Sequence, residues 1–83
     1  MNENVLLLEL ISPFSAETHK VSWIAVETPT GNFTLCIGHA PLASILKKKS
    51  QLSYQSLDGK DFTLEIPSGF IVISERIATI FID

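Results

Sequence analysis

Apolar residues in this chain recur in short runs with a period near two, not the 3.6 of a helix. Residues 32–37 (NFTLCI) alternate cleanly: Phe33, Leu35 and Ile37 share one face, Thr34 and Cys36 the other. Residues 61–66 (DFTLEI) place Phe62, Leu64 and Ile66 together in the same way. Runs at 5–12, 21–27, 41–47, 51–56, 70–74 and 76–82 bring the set of predicted strands to eight. The gaps between them carry turn chemistry. Pro29 fixes its φ within Thr28-Pro29-Thr30-Gly31, and Asp58-Gly59, flanked by Leu57 and Lys60, is a two-residue hairpin signal. Pro67-Ser68-Gly69 is another turn, and Ser74-Glu75-Arg76 turns the last hairpin. No segment of helical length carries a helical period with caps; Leu42 to Lys49 comes nearest and is short. The expectation is a single all-β domain over residues 1–83, a small antiparallel β-sandwich or flattened barrel of about eight to ten short strands.

Two runs break the alternation that a half-buried strand should show. Residues 5–11 are apolar on both faces except at Glu9, and residues 77–82 except at Thr79. A sheet of a small sandwich has one inner face. Leu6, Leu8, Leu10, Ile80 and Ile82 cannot all be internal together with their alternates. Part of this surface is expected to be covered by a partner or by a missing segment, the alternative being that the strands cross between sheets or sit under loops.

Composition narrows the function classes. With 46% apolar residues the chain is expected to fold, and its 83 residues suffice for one modest core. A net charge of −3 argues against non-specific nucleic-acid binding. The single cysteine forms no internal disulfide, and the N-terminus lacks the basic segment of a signal peptide. No apolar stretch reaches the roughly 20 residues of a membrane-spanning helix.

The residues that could carry chemistry are few. His19 and His39 are the only histidines, with no HxH, HxxxH or CxxC spacing to hold a metal, and no cofactor motif is present. His19 reads as surface, and His39 as a turn residue. Cys36, in an apolar strand, reads as a buried small hydrophobe. Lys47, Lys48 and Lys49 read as a solvated turn that guards a strand edge. Asn32-Phe33-Thr34 matches a glycosylation sequon, with nothing else pointing to secretion. The carboxylates are scattered without acid–base pairing. An enzyme built on Cys36 and His39 is therefore the remote reading, and binding or structural work the favoured one.

In Gly38-His39-Ala40-Pro41-Leu42, Pro41 fixes its own φ and pushes Ala40 toward an extended conformation, making a stiff corner between two strands. This GHAPL segment directly follows Gly31 to Ile37. Leu8-Glu9-Leu10-Ile11-Ser12 precedes it, and Ser68-Gly69-Phe70-Ile71-Val72 and a final strand ending at Asp83 follow it. In this order the motifs resemble the N-terminal β-sandwich of the epsilon subunit of F-type ATP synthases, over about residues 6 to 83. The chain departs from that pattern at Thr34, where the family usually has Gly, and at Ile37, where Pro is frequent. It also departs at Lys47 to Lys49, where Pro-Gly is frequent, and at Asn32, where the family often has an acidic residue.

The resemblance implies a rotor subunit of the central stalk, joining the gamma subunit to the membrane c ring without catalysing a reaction. It implies partner-contacting residues at Ser12, Gly31, Asn32, Gly38, His39, Ala40, Pro41 and Leu42. It further implies a peripheral place on the cytoplasmic face of the membrane, and a short form without the family's C-terminal helical hairpin. The alternative is a free-standing protein-binding module derived from this family.

Overall fold

The computed structural model describes residues 5–38 and 40–83, and every regular element among them is a strand. The elements are β1 (Leu6–Ser12), β2 (Ser15–Thr28), β3 (Gly31–Leu35), β4 (Leu42–Ile45), β5 (Ser50–Ser56), β6 (Asp61–Ile66), β7 (Gly69–Ile73) and β8 (Ile77–Ile82). They form one sheet in the order β4-β7-β8-β1-β2-β5-β6, with β3 on β2. The sheet folds over a single buried core, giving the expected β-sandwich. One pair departs from the antiparallel expectation: β1 and β8 run parallel, Leu8 opposite Ala78 and Leu10 opposite Ile80.

β2 lets one sheet become two layers. Its first half pairs with β1, Leu6 opposite Val21 through Ser12 opposite Ser15. Its second half pairs with β3 on one edge and β5 on the other. Between Val21 and Trp23 the register with β5 shifts by a bulge. Val21 faces inward before the shift, and Ile24 and Val26 after it; an extra residue changes which parity is buried. Residues 15–20 (SAETHK) were outside the predicted strand because they have no apolar alternation. Their inward-parity positions, Glu17 and His19, lie opposite Leu10 and Leu8 but at the open margin of the core.

His19 is accordingly half-buried, where the sequence suggested simple exposure. Its ring lies 5.6 Å from Tyr54, and Tyr54 stacks on Phe62 at 5.3 Å. The Tyr54 hydroxyl is pushed above its ordinary pKa, first by burial and then by the Glu17 carboxylate. β6 is an edge strand, so only Ile66 of its apolar face is buried, while Phe62 and Leu64 stay partly open.

Turn details follow side-chain chemistry. The Asp58-Gly59 connection is longer than a two-residue hairpin. The Gly59 amide donates to the Ser56 carbonyl at 3.0 Å, and the Ser56 amide to the Lys60 carbonyl at 2.8 Å. With Gly59 at φ 90°, this is a three-residue loop with a glycine bulge. The Ser56 hydroxyl donates to the Asp58 carboxylate and holds it below its ordinary pKa. The last hairpin closes as expected, the Ser74 amide donating to the Ile77 carbonyl at 2.9 Å.

Gly69 is required for space. A Cβ there would sit 2.5 Å from the Phe81 carbonyl oxygen, a backbone atom in the β7–β8 ladder. Gly69→Ala is therefore expected to destabilise the domain by about 2 kcal/mol. Thermal unfolding should show this as a fall of roughly 10 °C in Tm, whereas an unchanged Tm would mean that the ladder yields freely.

Candidate interaction surface

The outward face of the β4–β7–β8–β1 half is built from the two-faced strands. Inward go Leu6, Leu8, Leu10, Ala78, Ile80, Ile71 and Ile73, all buried. Outward go their alternates, and the registers line them up in rows across four strands. One row runs Ile45, Phe70, Phe81, Ile11. The next runs Ala43, Val72, Thr79, Glu9. A third begins with Ile77 opposite Leu7. Ile45 is 59% exposed, Phe81 43%, Phe70 39% and Val72 36%. The Phe70 and Phe81 rings lie 6.5 Å apart, tilted, at the centre of the first row. Within this face the Thr79 hydroxyl donates to Glu9 Oε1 at 2.8 Å. Contiguous outward apolar rows of this kind mark an interaction site.

The opposite half presents a more polar outward face. One row holds Thr34, Ala25, Ser53 and Thr63, and another Trp23, Gln55 and Asp61, so the polar residues outnumber the apolar ones. Gln55 Nε2 donates to Asp61 Oδ1 at 3.1 Å, and the Gln51 backbone N–H donates to Glu27 Oε2 at 2.7 Å. Cys36 is on this side and exposed, which corrects the expectation of a buried thiol. β3 stops at Leu35, so the alternation read through Ile37 runs past the strand end. Cys36 shares a shallow depression with Trp23, Ala25 and Thr34.

The sequence-predicted contact residues fall on three connections of the chain. Ser12 closes the β1–β2 hairpin, its Oγ 2.9 Å from Ser15 Oγ. That hairpin ends in Phe14, which is 97% exposed. Gly31 and Asn32 open β3, where Thr28 Oγ1 donates to the Gly31 carbonyl at 2.8 Å. Asn32 stands opposite Glu27 and is exposed. Gly38 sits in the turn after β3 with φ 87°, Ala40 and Pro41 are exposed, and Leu42 starts β4 packed against the core. His39 lies outside the described residues. The three lysines occupy an exposed turn, as expected, and the Lys47 amide donates to the Glu27 carbonyl at 2.9 Å. None of the predicted contact residues belongs to the apolar rows. The signal for the rows was the two-faced patterning of β1 and β8. Among the described residues no group of His, Cys, Asp and Glu is placed to hold a metal ion.

The model of the ATP synthase delta/epsilon chain β-sandwich domain matches residues 6–83. The fold is similar to a chain in the Euglena gracilis mitochondrial ATP synthase, in an OSCP/F1/c-ring assembly in rotational state 1. That similarity has a TM-score of 0.87 and 20% identity, and covers 94% of this chain and 50% of that one. A chain of the Tetrahymena thermophila mitochondrial ATP synthase central stalk and c-ring is also similar. It has a TM-score of 0.74 and 11% identity, and the match covers 93% of this chain and 62% of that one. The chain thus spans half to about three-fifths of these relatives. No curated protein matches it.

Proposed function

The chain belongs to the delta/epsilon β-sandwich family of ATP synthase, and from that premise we propose that it is a non-catalytic subunit of the central stalk. It connects the gamma subunit to the membrane c ring, so that ion transport is coupled to ATP synthesis by a joint that does not slip. The observation that carries this reading is the apolar outward face of β4, β7, β8 and β1, set against the polar outward face of the other half. Gamma packs on the apolar face. The connections at Ser12, Gly31-Asn32 and Gly38 to Leu42, with His39 among them, are the proposed further contacts. The Gly31-Asn32 turn is the one directed at the c ring. The protein then works peripherally, on the cytoplasmic face of the membrane that holds the synthase, and the role needs only the sandwich.

Co-expression with the gamma subunit of the same organism tests this. The two should co-purify with micromolar or tighter affinity through a total interface of about 1,600 Å². Absence of any complex would refute the role.

A further inference from the structure

The apolar face carries one charged residue at the β1 end of its middle row, opposite Thr18 of β2, and the proposed docking does not by itself account for it. Glu9 sits between Leu7 and Ile11 along β1, in the row that Ala43, Val72 and Thr79 complete. It is half-buried before any partner arrives. Its hydrogen-bond partner among the described residues is Thr79, which donates to one carboxylate oxygen at 2.8 Å. The ion pairs among those residues are His19 with Glu17 and Lys60 with Asp58; none includes Glu9. The nearest cation by register is Lys20, one row away opposite Leu7 and exposed. The second carboxylate oxygen has no hydrogen-bond partner among the described residues, and a partner laid over the rows would desolvate it.

A carboxylate left under an interface without a counter-charge opposes binding strongly. A neutral donor would occupy the open oxygen but leave the charge uncompensated. We propose that the surface docking on this face carries a lysine or arginine that seats against Glu9, with Thr79 holding the carboxylate to receive it. This rests on the docking reading above and adds to it the chemistry of the partner. It also gives the face a register. Apolar rows attract without direction. One charge pair among them fixes which row meets which, as charge complementarity does at other interfaces.

Calorimetric titration with the gamma subunit of the same organism tests the proposal. Glu9→Gln keeps the shape and an oxygen for Thr79 but loses the charge. It is expected to weaken binding by at least about 30-fold, the low end for removing one member of a desolvated charge pair. Glu9→Asp, which keeps the charge, should restore most of the affinity. Thermal unfolding of each variant verifies that the sandwich is intact. Equal or tighter binding by Glu9→Gln would overturn the cation while leaving docking in place. The Phe70→Thr/Phe81→Thr double variant separates the two ideas. If it too binds like wild type, gamma does not sit on this face, and the cation falls with it.

Discussion

Replacing Phe70 and Phe81 together by threonine is expected to weaken binding to the gamma subunit by about 100-fold or more without unfolding the domain. Both rings project outward from paired positions in β7 and β8, and both are about two-fifths exposed. Covering the exposed part of a phenylalanine contributes on the order of 2 kcal/mol by area alone. The two rings sit side by side at the centre of the first apolar row, and large buried aromatics are frequent hot spots. Threonine keeps the β-propensity of both positions, so the strands should still form. A binding titration together with a thermal melt checks both halves of the expectation. Loss of binding with an unchanged melt supports a docking face; loss of both would mean that the rings hold the sheet instead.

The largest effect on stability is expected at Leu8. It is fully buried at the middle of β1, between β2 and β8, and Leu6 and Leu10 on the same face are buried too. Leu8→Ala leaves a cavity that flanking strands cannot close without breaking register, and should cost about 4 kcal/mol. A domain of this size has roughly 5–10 kcal/mol in total, so much of the margin is lost. Urea unfolding should show a midpoint reduced by about half at constant m-value. A shift of less than 1 kcal/mol would contradict a close-packed core at this position.

How much of this was readable beforehand depended on where each strand lies relative to the core. The eight strands were legible because residues such as Leu35, Leu52, Ile66 and Ile71 go inward at period two. The first half of β2 was not, because its inward positions, Glu17 and His19, lie at the core margin and need not be apolar. The bulge beside Trp23 was also illegible: it moves burial from Val21 to Ile24 without any glycine or proline to mark it. Alternation did place Cys36 opposite Leu35. The error was to treat an apolar run as buried on both sides, when the outward side of that half meets solvent.

The two-sided apolar patterning of β1 and β8 marks the candidate surface. β1 and β8 are apolar on both sides because the second side is a face and not a loop-covered interior. The contact residues implied by resemblance lie on connections, where alternation carries no information. Their role is carried by resemblance in order and spacing, and the rows of β4, β7, β8 and β1 are carried by geometry.

The most direct measurement uses the chain's own asymmetry. Cys36 is exposed on the polar half, and Val72 is exposed in the apolar rows of the other half. Thiol alkylation rates can be compared in a Val72→Cys variant that retains Cys36, with and without the gamma subunit, and the sites separated by mass spectrometry. The account predicts strong protection of the introduced cysteine on binding gamma, with Cys36 still modified at its free rate. Protection of Cys36 with the introduced cysteine still reactive would contradict it.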